Sequence, residues 1–114
     1  IDDFELEIKG AGDIDLSQLE TKYFNLSIKG AGDVNLSGKC DEFDVDIKGS
    51  GTINAFKFQT NRLDTKIYGS GEVFVTVSEE IEASIYGSGD IQYKGKPKKV
   101  REHIYGSGSC VEAK

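Results

Sequence analysis

A glycine tripeptide that recurs six times is the feature that most constrains how this chain can fold. Each copy reads Gly-Ala-Gly or Gly-Ser-Gly, and the intervals between copies are 20, 19, 20, 18 and 19 residues. The first glycines of the copies are Gly10, Gly30, Gly49, Gly69, Gly87 and Gly106. A nearly fixed interval of this length is typical of repeat architectures, in which each repeat is one structural unit that packs against its neighbours.

Each tripeptide follows a short segment with the pattern of a β-strand. Apolar and polar residues alternate from Phe4 to Lys9, which is the two-residue period of a strand with one buried face. An isoleucine stands two residues before every first glycine, at Ile8, Ile28, Ile47, Ile67, Ile85 and Ile104. Because glycine has no side chain and tolerates positive φ, the tripeptide predicts a tight corner between two strands.

The repeat therefore predicts the architecture. One repeat of a strand, a glycine corner, a second strand and a polar return cannot bury its apolar face alone, so the repeats must stack with their strands parallel. We expect an all-β fold: a right-handed parallel β-helix, or β-solenoid, of about six coils with 18–20 residues per coil. We further expect residues 1–114 to form a single domain.

Charge and hydropathy limit the classes of partner. The 20 acidic and 14 basic residues give a net charge of -6, which repels phosphate backbones and argues against nucleic acid. No stretch approaches the roughly 18 apolar residues of a membrane span. Nothing at Ile1 resembles a signal peptide, so we expect any export signal or lipid anchor to lie outside this chain. The edge from Ile1 to Ile8 has no polar cap, which favours pairing with further coils or with another molecule.

The outward position before each first glycine is the candidate binding site. In chain order it holds Lys9, Lys29, Lys48, Tyr68, Tyr86 and Tyr105. Stacking predicts an aromatic ladder beside a basic strip, and adjacent aromatic pairs stabilise a sheet by roughly 0.2–1 kcal/mol each, which is a sufficient structural reason for the ladder. The functional interpretation is an exposed platform for a glycan or a partner protein, with Lys66, Ser84 and His103 at its rim.

An outward acidic column raises the question of calcium. It contains Asp13, Asp33, Thr52, Glu72 and Asp90. Calcium-binding solenoids repeat every nine residues with an aspartate in each turn, whereas here one glycine corner appears per 18–20 residues. We therefore expect a solvated acidic face, with no metal and no cofactor.

The cysteines and the single histidine do not assemble a catalytic site. Cys110 aligns with core positions, while Cys40 falls in the predicted polar return about three coil spacings away, so the sequence predicts two unbridged thiols. His103 has no second histidine or nucleophile beside it. The sequence accordingly predicts no catalytic residues, and the chain is not expected to be an enzyme.

The unit Gly-x-Gly-[Asp/Thr]-[Ile/Val]-[Asn/Asp] carries a family resemblance. It occurs at residues 10–15, 30–35 and 49–54, and residues 87–108 resemble the ending of the same family. On these motifs the chain resembles the bacterial putative auto-transporter adhesin, head GIN domain family, common among Bacteroidetes cell-envelope proteins. The resemblance implies an exported β-helical protein, extracytoplasmic at the cell surface, outer membrane or periplasm. It also implies that the domain formed by residues 1–114 is the C-terminal portion of a longer one. The residues Glu72-Val73-Phe74 and Ser109-Cys110-Val111 depart from the motif.

Three hypotheses for function follow. The first is a noncatalytic cell-envelope module with adhesin-like binding of glycan or protein through its outward columns. The second is a structural spacer or assembly module that forms homo-oligomers by stacking through its N-terminal edge. A remote alternative is a polysaccharide-acting β-helix enzyme, but those enzymes carve a groove with long loops, and the returns here are short.

Overall fold

The computed structural model describes residues 3–112, and they form an all-β parallel solenoid. The strands are β1 (Asp3–Gly49), β2 (Thr52–Gly69), β3 (Glu72–Gly87), β4 (Asp90–Lys94), β5 (Lys99–Tyr105) and β6 (Ser109–Glu112). Each pairing between these strands is parallel: β1 with β2, β2 with β3, β3 with both β4 and β5, and β4 with β6. The predicted β-solenoid is confirmed. The described part of the chain has no helix long and apolar enough to cross a membrane.

The register places equivalent repeat positions side by side. Ile47 pairs with Ile67, Ile67 with Ile85, and Ile85 with Ile104, so the isoleucines form one inward column as predicted. The phenyl rings of Phe24, Phe43 and Phe58 fill the interior, with centroids 5.1 to 5.8 Å apart. The core is therefore a stack of layers in which equivalent repeat positions lie in register.

The solenoid has about four turns rather than the six coils that the repeat count predicts. The four middle repeats have a neighbour on both sides, and their inward strand residues are buried. In the first repeat Phe4 and Leu6 are half-buried, and in the last repeat Val100 and Glu102 are exposed. Within residues 3–112, each terminal repeat has a neighbour on one side only, so the inward side chains of that layer, or rung, are less buried. Ile1, where the predicted open edge begins, lies outside the described residues.

The glycine corners combine two different requirements. The first glycine of a tripeptide has positive φ, for example +129° at Gly69, where an added Cβ would lie 2.4 Å from the carbonyl oxygen of Gly49. The second glycine is required by packing, because a Cβ on Gly89 would lie 2.7 Å from Cγ2 of Ile67. The corner thus lets the backbone turn while consecutive repeats stay in contact.

The segment predicted as a polar return is a third extended segment of the repeat, and it is continuous with β1 or β2. Gly38 pairs with Phe58 and Cys40 with Thr60, and the side chains of Phe58, Cys40 and Thr60 are buried. Small polar side chains can be buried there because the hydroxyl or thiol of each donates a hydrogen bond to the backbone carbonyl oxygen two residues later. These bonds run from Thr21 to Tyr23 at 3.1 Å, from Cys40 to Glu42 at 3.4 Å and from Thr60 to Arg62 at 3.0 Å. Cys40 therefore belongs to the core. Both thiols are free, as predicted.

Candidate functional site

The tyrosine ladder, formed by Tyr68, Tyr86 and Tyr105, exists as a continuous stack. The register pairs Tyr68 with Tyr86 and Tyr86 with Tyr105. Ring centroids are 4.9 and 5.0 Å apart, and the planes deviate from parallel by 4° and 5°. The three side chains remain 42%, 43% and 60% exposed, respectively. The structure therefore brings the three predicted tyrosines together in one outward column.

The stacking determines what the ladder presents to solvent. Both faces of Tyr86 are covered by its neighbours, so its exposed part is the ring edge with the hydroxyl. Tyr105 belongs to the last rung of the described residues, and within them its outer face is not covered by another ring. A ligand with a flat apolar face can thus stack on Tyr105 and continue along a row of edges and hydroxyl groups.

The predicted rim residues share a neighbouring column. Lys66 pairs with Ser84, and Ser84 with His103, two positions before the tyrosines. The side chains of Lys66 and His103 are exposed, and Ser84 is half-buried. They place an ammonium, a hydroxyl and an imidazole beside the ladder, all of which can donate hydrogen bonds to a polar ligand. The column of the tyrosines itself continues into the preceding repeat with Lys48, which pairs with Tyr68.

A shallow charged groove of about 200 Å³ lies over the other end of the same strands. Asp44, Asp64 and Glu82 form one of its columns. Burial, and then the charges of Asp44 and Glu82, raise the pKa of Asp64 above its ordinary value. The next column alternates in sign, and in it Arg62 approaches Glu42 at 3.5 Å. Five acidic and three basic side chains line this groove, so its formal charge is negative.

The predicted acidic column lies in register. Asp33 pairs with Thr52, Thr52 with Glu72, and Glu72 with Asp90. Across residues 3–112, no three His, Cys, Asp or Glu side chains lie close enough together to hold a metal ion. The thiol of Cys110, in β6, is buried, and burial raises its pKa to about 12, which opposes reactivity as a thiolate.

Sequence reasoning missed a pocket on the second strand of the early repeats. Asp15, Asn35, Asn54, Phe56 and Lys57 are among the residues that line this bulge pocket, which has a volume of about 360 Å³. The alignment of Asn35 with Asn54 was visible in the repeat. The position of Phe56 was not, because it depends on an irregular register in the third repeat.

Comparisons with known proteins agree with this geometry. Residues 1–97 match the family model described as putative auto-transporter adhesin, head GIN domain. The chain belongs to this family. The resemblance inferred from the glycine motifs is thereby confirmed. No curated protein matches the sequence of this head GIN domain.

Two solved structures resemble the head GIN domain. A putative adhesin from Bacteroides fragilis superposes with a TM-score of 0.91 at 29% identity, covering 97% of this chain and 52% of that one. A putative lipid binding protein from Parabacteroides distasonis gives a TM-score of 0.74 at 28% identity, covering 99% and 56%. The chain spans about half the length of each. These descriptions name adhesion and lipid binding rather than an enzymatic activity.

Proposed function

We propose that this head GIN domain is a noncatalytic, extracytoplasmic module of the bacterial cell envelope that binds a glycan or a partner protein through the tyrosine ladder. Family membership and the adhesin from Bacteroides fragilis support a surface binding role. The proposal depends on one observation: three parallel tyrosines remain 42% to 60% exposed in a single outward column. Tyrosine is enriched at recognition surfaces because one ring offers both apolar area and a hydrogen-bonding hydroxyl.

We infer a role for each residue of the predicted site. Tyr105 supplies the free ring face, while Tyr68 and Tyr86 supply edges and hydroxyl groups at 4.9 to 5.0 Å spacing. Lys66 and His103 hydrogen-bond polar groups of the ligand from the adjacent column. An exterior ligand fits better than a lipid chain inside the solenoid, because packed side chains such as Phe43 fill the interior.

The test compares binding on an array of glycans and envelope proteins. The triple variant Tyr68→Ser, Tyr86→Ser, Tyr105→Ser is expected to lose binding to ligands that the parent protein retains. Its matched control is Lys9→Ser, Lys29→Ser, Lys48→Ser, which changes the same repeat position in the lower half of the column and is expected to keep binding. Circular dichroism confirms that both variants are folded. A folded tyrosine variant with full binding contradicts the proposal.

A second candidate function is assembly through the N-terminal end. The inward residues of the first rung are apolar, and Phe4, Leu6, Ile14 and Leu16 are only half-buried. Within residues 3–112, a Cβ added to Gly10 or Gly12 of this rung would meet nothing within 4 Å, and an apolar edge of this kind favours stacking with another molecule. Analytical ultracentrifugation separates the two functions. Oligomers that grow with concentration and dissociate in a Leu6→Lys variant favour assembly, whereas a monomer that binds array ligands favours recognition.

A further inference from the structure

The third repeat contains a bulge relative to the fourth. Ala55 pairs with Val75, but the next pairing is Gln59 with Thr76, so three residues of β2 have no partner in β3. These residues are Phe56, Lys57 and Phe58. Phe58 is buried in the core, whereas Phe56 is half-buried at the surface. Bulges redirect side chains in this way and occur often beside functional sites.

Phe56 forms a wall between two groups of residues. On one side are residues of later repeats: the Phe74 ring, with centroids 5.4 Å apart, and Nζ of Lys94, 4.4 Å from the centroid of Phe56. These contacts hold the Phe56 ring in place. On the other side is the bulge pocket, which is lined by Asn54 of the same repeat and Asn35 of the repeat before it. The pocket therefore has a fixed aromatic wall that faces polar side chains.

The polar groups of the pocket are held in place and can still form hydrogen bonds to a ligand. Nδ2 of Asn54 donates a hydrogen bond to Oδ1 of Asn35 at 3.1 Å, which orients both amides. Among the described residues, these two side chains make no other hydrogen bond, and the side chains of Asp15 and Lys57 make none. The opposite charges of Asp15 and Lys57 offset each other. The pocket thus offers amide donors and acceptors, a carboxylate acceptor and an ammonium donor, with no net charge.

We propose that the bulge pocket is a second binding site, separate from the tyrosine ladder, and that it binds one neutral hexopyranose unit of a glycan. A pyranose has an apolar face of C–H groups and a rim of hydroxyls that both donate and accept hydrogen bonds. Its apolar face packs against Phe56, and its hydroxyls contact Asn35, Asn54 and Asp15. This site lies on the second strand of the repeats, beyond the glycine corner from the ladder.

Nuclear magnetic resonance titration of the whole chain tests the proposal. The probes are methyl β-D-glucopyranoside, methyl α-D-mannopyranoside and methyl β-D-galactopyranoside at millimolar concentrations. At least one probe is expected to shift the side-chain amide signals of Asn35 and Asn54. Phe56→Leu is expected to weaken that binding about fivefold or more, because the aromatic contact is lost. Asn35→Ala, an exposed substitution, provides a second test if Phe56→Leu does not fold.

The matched control is Gln92→Ala. Gln92 carries an amide in the same outward column as Asn54, two rungs further along, and does not line the pocket, so its removal is expected to leave binding unchanged. The proposal is overturned if none of the three probes shifts the asparagine amides, or if the shifts persist in Phe56→Leu and Asn35→Ala. Shifts confined to the tyrosines also overturn it, although they support the function proposed for the ladder.

Discussion

The hydroxyl of Tyr23 donates a hydrogen bond to Oδ2 of Asp44 in the next repeat. That bond, followed by burial and the negative charge of Asp44, raises the pKa of Tyr23 to about 12 from its ordinary value of 10.0. The neutral phenol is therefore the form that fits the folded state. The contact joins two rungs through side chains, in addition to their backbone ladder.

Tyr23→Phe is expected to reduce the alkaline sensitivity of the fold. Because the folded pKa lies above the unfolded one, the stabilisation from the phenol is complete below pH 10.0 and is lost as the pH rises toward about 12. Over this interval the free energy of unfolding should fall more steeply for the parent protein than for the variant. Urea denaturation at a series of pH values measures both curves, and parallel curves would contradict the assignment. Cys40 and Cys110 titrate in both proteins, so their effect cancels.

Asp64→Asn is expected to stabilise the protein at neutral pH. Burial and the neighbouring charges of Asp44 and Glu82 disfavour the ionised carboxylate, so the folded state raises the pKa of Asp64 above 3.8. The parent protein therefore carries a destabilising charge above that raised pKa and none below pH 3.8. The gain from the variant should shrink as the pH falls through this region. Thermal unfolding of both proteins at a series of pH values measures the gain in stability. A gain that does not change with pH would refute the charge explanation.

Gly69→Ala is expected to destabilise the fold strongly. Its φ of +129° and a Cβ 2.4 Å from the carbonyl oxygen of Gly49 combine backbone strain with a steric overlap, at a cost of about 3 kcal/mol or more. Gly10→Ala is the matched control: its φ is +92°, but nothing lies within 4 Å of the added Cβ, so about 1–2 kcal/mol is expected. Equal losses in denaturant unfolding would show that close packing of the corners contributes nothing.

Thr65→Val is expected to stabilise the protein by about 1–2 kcal/mol. Among the described residues, Oγ1 of Thr65 is the buried side-chain polar atom without a hydrogen-bond partner, and the inward column places Val45 and Ala83 beside it. Thr60→Val makes the same chemical change where the hydroxyl donates to the carbonyl of Arg62 at 3.0 Å, and it should destabilise instead. The denaturant midpoints of the two variants show whether each substitution raises or lowers stability. A loss of stability in Thr65→Val would count against an unsatisfied hydroxyl.

The columns of the solenoid could be predicted because they repeat. Ile47, Ile67 and Ile85 stand at the same distance from their glycines, so the register follows from the interval alone, and the tyrosine ladder follows from the register. The third extended segment was missed because Cys40 and Thr60 are small and polar in the sequence. Their burial depends on hydrogen bonds to the carbonyl oxygens of Glu42 and Arg62, which the sequence pattern does not reveal.

The direction of the strands, the repeat interval and the inward and outward faces followed from the sequence, because the two-residue period and the repeated glycine corner predict parallel stacking of equivalent positions. The number of turns, the free faces of the tyrosine rings and the position of Phe56 became visible only in the folded protein. Those properties depend on contacts between repeats and on the bulge in one of them. The sequence of a single repeat does not encode these properties, because each of them depends on how neighbouring repeats contact one another.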